Sequence, residues 1–313
     1  ALAEHSLYLD AGDIFSGNPV VDLNEGEPIV NILNRMGLDA MAIGNHEFDY
    51  GQEAFARNEA FATFQWLSAN MTVQDSTSPI IQPDPYTIYE FGDVKVGVLA
   101  LTQAPPATAP AGIVGLHFEE DYAAAVNQYA YLRDEVDILI GLTHIGYPDD
   151  RQLAEQVEIF DLIIGGHSHT VLSQPVVVNG TPIAQAGSNG NYVGNITIQL
   201  NKQTNDVMVN GFLQNVNNLT ETDSEIQSII DDYNEQMEEI LGRVIGYSNT
   251  GLTRNDRERR DAALGNFWTD AMRDYLNADI ALTNNGGIRD SIAPGEITVG
   301  DIYRVEPFAN EIM

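Results

Sequence analysis

Leu38-Asp39-Ala40-Met41-Ala42-Ile43-Gly44-Asn45-His46-Glu47-Phe48-Asp49 reads as a short apolar strand running straight into a polar loop. The loop packs an amide, an imidazole and two carboxylates close behind a buried strand. Such a cluster is costly unless it binds something or caps a helix. Three other places in the chain repeat the arrangement. Gly12-Asp13 follows the apolar Leu7 to Leu9. Thr143-His144 follows Asp137 to Leu142. Gly165-Gly166-His167-Ser168-His169 follows Asp161 to Ile164. In an α/β sheet the carboxyl ends of parallel strands share one edge, and ligands bind there. Four such strand ends therefore predict one convergent site.

The surrounding pattern supports a sheet with helices. Ile29, Ile32, Leu33 and Met36 follow helical spacing, and Gly37 stops that helix. Val94 to Leu101 reads as a strand entered by a turn at Phe91-Gly92-Asp93, and Ala123 to Leu132 reads as a helix. Strands dominate from Pro182 to Leu213. Thr222 and Glu225 suggest a capping box at the head of a helix running to Leu241. Its apolar face is Ile226, Ile229, Ile230, Tyr233, Met237 and Ile240. A further helix carries Leu264, Phe267, Trp268, Ala271, Met272 and Tyr275 on one face, and Ala278 to Thr283 is expected as the next strand. The expected layout is residues 1–218 as one α/β domain, 219–243 as a connector helix, and a second domain from Val244 to the end.

The 313 residues suffice for two domains with real cores, and 43% are hydrophobic, which excludes a disordered chain. There is no apolar run long enough to span a bilayer. With 14 basic and 46 acidic residues the formal charge is −32, which argues against binding nucleic-acid backbones and suits solubility in a salty medium. An anionic substrate therefore needs a local cation, a metal or placed arginines. Cysteine is absent, so any metal is held by His, Asp, Asn or Glu. Those donors suit a borderline divalent ion such as Zn or Mn. His167 and His169 alternate by two, so a Gly-Gly turn is expected to aim both inward. His117 is expected to be a solvated surface residue.

The ordered set Gly-Asp, Gly-Asn-His-Glu-x-Asp, His, Gly-His-x-His resembles the calcineurin-like metallophosphoesterases. Within them it is similar to the 5′-nucleotidases and periplasmic UDP-sugar hydrolases. Asn284-Asn285-Gly286-Gly287-Ile288-Arg289 and Pro307-Phe308-Ala309-Asn310 resemble the nucleotide-recognition domain of that family. The resemblance implies an α/β (α+β) fold: a metallophosphoesterase sandwich, a connector helix, then a 5′-nucleotidase C-terminal domain. It implies two divalent metals bridged by Asp13, with Asn45, His144 and His167 completing one site and His169 belonging to the other. It implies His46 and Asp49 as the catalytic pair. Asn284, Gly286, Gly287, Arg289 and Phe308 would bind the substrate, Phe308 by stacking on the base.

The activity so implied is hydrolysis of nucleotide phosphate esters by a metal-bridging hydroxide, in nucleotide catabolism and phosphate scavenging, outside the cytoplasm or in a periplasm. UDP-sugar or 2′,3′-cyclic nucleotide cleavage is the alternative within the class. A non-catalytic nucleotide-binding surface module is the alternative outside it, and the His46–Asp49 pair speaks against that. The partner expected is a small-molecule nucleotide. Two departures from the family pattern stand out. The family's Asp-x-His on a first strand has no counterpart before Gly12, so the chain is expected to lack that strand, with one metal site incomplete, and to stop short in the second domain. A family arginine also falls at Glu258, leaving Arg257, Arg259 and Arg260 as substitutes.

Overall fold

Short apolar strands alternate with helices because each strand buries both faces and must be covered on each side. The computed structural model describes residues 5–108, 110–255 and 260–307. In chain order the elements begin with β1 (Leu9–Asp10), α1 (Pro19–Leu23), α2 (Glu27–Met36), β2 (Ala40–Ala42), α3 (Gln52–Phe61), β3 (Gln65–Leu67) and β4 (Met71–Val73). Next come β5 (Tyr86–Phe91), β6 (Val94–Thr102), β7 (Leu116–Phe118), α4 (Tyr122–Asn127), α5 (Leu132–Glu135), β8 (Ile138–His144), α6 (Tyr147–Gln156) and β9 (Leu162–Gly165). The series continues with β10 (Val176–Val178), β11 (Thr181–Gln185), β12 (Tyr192–Asn201), β13 (Asp206–Asn215) and α7 (Ser224–Leu241). It ends with β14 (Val244–Ser248), α8 (Ala263–Leu276), β15 (Gly295–Thr298) and α9 (Val299–Val305).

The chain forms two units. One runs to Ile14 and resumes over Ile29–Thr222; the other takes Phe15–Pro28 and the chain from Asp223 on. The first unit is an α/β sandwich. Its six-stranded sheet has the order β10-β11-β9-β8-β6-β5, and β1-β2-β3 form a separate three-stranded sheet. β6, β8, β9 and β11 run parallel, so their carboxyl ends share one edge. One face of the large sheet buries Leu99, Leu101, Leu139 and Ile163 with Ala125 and Val126 of α4 and Leu153 of α6. The other buries Val98, Ala100, Ile140 and Leu142 with Ala40, Ala42 and Leu67 of the small sheet and Ile196, Ile198 and Val209 of the β12–β13 hairpin. That hairpin alternates half-buried with exposed residues, the pattern of a ribbon with one covered face.

Several expected elements differ in detail. The expected strand at Leu7 to Leu9 is a two-residue strand at Leu9–Asp10. The helix expected over 123–132 is interrupted: α4 ends at Asn127, and the Tyr129 and Tyr131 rings turn onto Tyr86 at centroid separations of 5.9 and 6.4 Å. α7 is capped by Asp223 rather than Thr222. The Asp223 carboxylate accepts the Glu225 and Ile226 N–H groups and adds its charge at the positive end of the helix dipole. No strand forms over 278–283, where Ile280 and Leu282 are 77% and 84% exposed; apolar residues alone do not make a strand without a ladder partner.

In the second unit, α8 buries Leu264 against Ile288, Ile292 and Val305, with Trp268 packed beside them. β14 pairs antiparallel with β15, and α9 opens on a capping box between Thr298 and Asp301.

Candidate metal centre

Glu47 organises the polar loops. It is wholly buried, and its carboxylate accepts the N–H groups of Gly44 (2.6 Å), Ile14 (2.7 Å) and Asp13 (3.0 Å). It thereby ties the loop after β1 to the loop after β2, whose strands are parallel neighbours. Burial, then the Asp13 charge, pushes the Glu47 carboxyl up to about 7, against the pull of those hydrogen bonds. Asp13 takes a left-handed φ of 68°, a conformation an aspartate tolerates better than most residues. Gly44 has to be glycine, because a Cβ there would lie 2.4 Å from Asp13 Oδ1.

Asp13, His144 and His167 place one ligand atom each within 4.8 Å of one another. His144 ends β8 and is 1% exposed. Its Nδ1–H donates to the Ala11 carbonyl at 2.6 Å, which leaves Nε2 facing Asp13 Oδ2 at 2.8 Å. That Nε2 is buried and makes no well-aligned hydrogen bond. A buried unbonded imidazole nitrogen beside a carboxylate and a second imidazole is the donor set of a divalent-metal site.

Burial opposes charge on both partners, but each holds the other ionised. Asp13 comes down to about 2 beside the His144 and His46 charges, and His144 is raised by Asp13. His167 is instead lowered to about 4, first by burial and then by the charge of His144, so its ring is neutral at ordinary pH. The two rings lie 5.2 Å apart. Asn45, also buried, meets His167 Nδ1 through its side-chain oxygen at 3.0 Å and donates from its amide nitrogen to the Ala107 carbonyl at 3.1 Å.

His46 sits at the start of a one-turn helix, His46–Phe48, and its N–H donates to Asp13 Oδ1 at 2.7 Å. Its Nδ1 lies 2.6 Å from Asp49 Oδ2, and Thr108 donates its hydroxyl to Asp49 Oδ1 at 2.6 Å. Burial alone would favour the neutral ring. The Asp49 bond and the nearby Asp13, Asp49 and Glu47 charges raise its pKa instead.

His169 is exposed with φ 56° and stands outside the Asp13–His144–His167 cluster. The expected Gly-Gly turn takes another form. His167 and His169 carry the positive φ angles themselves, at 69° and 56°. Gly165 and Gly166 are required by space: a Cβ on Gly165 would lie 2.1 Å from Asp150 Oδ2, and one on Gly166 3.0 Å from both the Ala11 carbonyl and His144 Nδ1.

Asp150 is a functional-site neighbour that the sequence reading passed over. It is wholly buried on α6 and accepts the Thr143 hydroxyl at 2.6 Å. Burial first, then the Asp149 charge, pushes its carboxyl up to about 7. A folded pKa above the unfolded value of about 3.9 means the folded state binds the proton more tightly. Its contribution to stability is fully present below the unfolded value and lost as pH rises through 7. Asp150→Asn removes that loss. Thermal melts in chelator should show the variant gaining on wild type from pH 5 to pH 8. Parallel melting curves across that range would show that Asp150 does not titrate as described.

In the second unit, Asn284 accepts the Gly287 N–H at 2.6 Å, closing the Asn284–Gly287 turn. A hollow of about 450 Å³ is lined by Arg254, Arg260, Asn266, Thr283, Asn284 and Ile288, among others. Gly286 is exposed and Arg289, half-buried, donates its N–H to the Val305 carbonyl at 2.8 Å. Of the arginines weighed for the position of Glu258, Arg260 lines this hollow; 257–259 and Phe308 lie outside the described residues.

Residues 2–171 match the family model for calcineurin-like phosphoesterases, and residues 244–313 match that of the 5′-nucleotidase C-terminal domain. A 5′-nucleotidase of Vibrio cholerae is 32% identical over 97% of this chain and 64% of its own length. The trifunctional nucleotide phosphoesterase YfkN of Bacillus subtilis is 31% identical over 98% of this chain and 24% of its own. Among solved structures, the 5′-nucleotidase precursor of Thermus thermophilus superposes with a TM-score of 0.88 at 30% identity, covering 99% of this chain and 66% of that one. The chain thus spans less than two thirds of the length of these relatives.

Proposed function

The chain belongs to the calcineurin-like phosphoesterases, and from that membership we propose that the protein hydrolyses phosphate esters of nucleotides. The observation that carries the reading is the meeting of Asp13 and Asn45, which follow strands of the small sheet, with His144 and His167, from strand ends of the large one, and the His46–Asp49 pair beside them, tied to Asp13 by the His46 N–H. Those four residues would hold one divalent ion, and His169 with the shared Asp13 would serve a second. Nitrogen and oxygen donors without sulfur favour Zn or Mn. A bound pair of such ions supplies Lewis acidity toward the phosphoryl group and an activated water.

The chain's own residues do the rest. His46 stands beside the ligand cluster, and the Asp49 bond with nearby carboxylates favours its protonated ring, which would stabilise the charge that builds on the phosphoryl or leaving oxygen. Asp49, itself held by Thr108, engages Nδ1 and so fixes the ring with Nε2 on the edge away from it. Bound metals, with a protonated His46, would supply the local positive charge that a −32 chain needs to accept an anion. In the second unit Asn284, Gly286, Gly287 and Arg289 would contact the nucleotide, with Arg260 at the hollow and Phe308 stacking on the base. The 5′-nucleotidase precursor of Thermus thermophilus to which the chain is similar supports a location outside the cytoplasm. No helix among the described residues is long and apolar enough to cross a membrane.

The test is phosphate release by the full-length protein in Mn or Zn from nucleoside monophosphates, UDP-sugars and 2′,3′-cyclic nucleotides. Turnover of the monophosphates, abolished by chelator, is expected. A metal-loaded protein that turns over none of these substrates would refute the reading.

A further inference from the structure

We propose that Gln185 is a positioning residue of the metal centre, holding the strained turn that aims His167 and His169. The inference rests on the metal reading of Asp13, His144 and His167 and extends it to a residue that touches none of them.

The turn begins where β9 ends. The Ser168 N–H donates to the Gly166 carbonyl at 2.8 Å, closing a three-residue turn with His167 at its centre and φ 69°. Two residues later His169 has φ 56°. Two side-chain-bearing residues in the left-handed region within three positions persist only where the surroundings over-determine them. Histidine tolerates that conformation better than most residues, but two such residues within three positions still call for support from outside the loop.

Gln185 supplies it. It is the last residue of β11, 2% exposed, and it lies opposite Gly165 in the parallel ladder. Its side-chain nitrogen donates to the Gly166 carbonyl, the same oxygen that closes the turn. Its side-chain oxygen accepts the Ser168 hydroxyl and the Thr170 N–H, each at 2.9 Å. The partners leave only one orientation of the amide, since two donors face one atom and a carbonyl faces the other. Ser168 Oγ in turn accepts the Tyr147 N–H at the head of α6, also at 2.9 Å.

The bonds of this one side chain land on residues 166, 168 and 170, between and around the two histidines and on neither ring. A buried glutamine needs its polar atoms satisfied but not on a single loop. Spending all three bonds there fixes the backbone that carries His167 and His169.

The test compares full-length wild type with Gln185→Met, which keeps the volume and removes every polar contact. Outer partners of metal ligands are typically worth about 10- to 100-fold in affinity. Free Mn(II) measured by paramagnetic resonance should show a loss of that size, and the visible spectrum of the Co(II)-loaded variant should shift. The metal-free far-ultraviolet circular dichroism should stay as in wild type. Gln185→Glu keeps the accepted bonds but sets an oxygen against the Gly166 carbonyl in place of the donor, so its Mn(II) affinity should also fall below that of wild type. It also serves if the Met variant does not fold. Wild-type affinity and an unchanged Co(II) spectrum in the folded variants would overturn the proposal. Failure of wild type itself to bind Mn(II) would instead overturn the metal reading beneath it.

Discussion

Exchanging His46 for asparagine in the full-length protein lowers kcat for nucleoside monophosphates by about 10² to 10⁴-fold and leaves the metal content unchanged. The size follows from the role. His46 contributes its backbone N–H, not its ring, to Asp13, and its ring is tied to Asp49 rather than to the cluster. Removing the ring therefore leaves Asp13, His144 and His167 where they are. What disappears is a positioned cation whose charge the Asp49 bond and nearby carboxylates sustain against burial. That charge matters most when negative charge concentrates on the phosphoryl or leaving oxygen, so the loss should fall on kcat more than on KM. Elemental analysis decides the assignment. A variant that loses metal would make His46 a ligand, and the division of labour above would have to be redrawn.

The parts of this site that the sequence displayed are those where chemistry and chain direction coincide. Gly44 to Asp49 is legible because amide, imidazole and carboxylates follow a buried strand without a break, although that strand belongs to the small sheet and His144 and His167 to the large one, so a single shared edge is not what joins them. His144 was legible for the same reason, ending a strand whose every residue is buried. Glu47 lay in plain view within the motif, yet its role depends on three N–H groups from two loops, and only the paired strands bring those together. Thr108 acts across 59 positions on Asp49, and Gln185 across 19 on Gly166. Neither carries any local signal, for Gln185 is one polar residue ending a strand and Thr108 is one hydroxyl in the loop after β6. The Gly-Gly pair was read for its backbone freedom, whereas Asp150, Ala11 and His144 make it a matter of space. The Ala278 to Thr283 stretch shows the opposite failure, an apolar pattern that forms no ladder among the described residues.

The second large effect is on the metal itself: His144→Ala should lower Mn(II) or Zn(II) affinity by more than the 10- to 100-fold typical of losing an outer partner. His144 offers the most fully prepared donor in the cluster. Its Nδ1–H is committed to the Ala11 carbonyl, and its buried Nε2 has only the Asp13 carboxylate, 2.8 Å away, as a competing partner. To bind a metal it has to give up its proton, which Asp13 holds on by its charge, and with it the direct pairing to that carboxylate. Alanine also leaves the Asp13 carboxylate without its cationic neighbour and opens a cavity, so some stability goes with the metal. Asp13→Asn separates the two effects. It keeps the shape, removes the anion and should lose metal comparably while melting closer to wild type. Affinity is read by titration well below either melting point, with nucleotide turnover measured in parallel. If the alanine variant kept wild-type affinity and turnover at micromolar metal, His144 would be a buried partner of Asp13 and nothing more. The unbonded Nε2 would then be a packing accident, and the Asp13–His144–His167 cluster would cease to be the centre of this site.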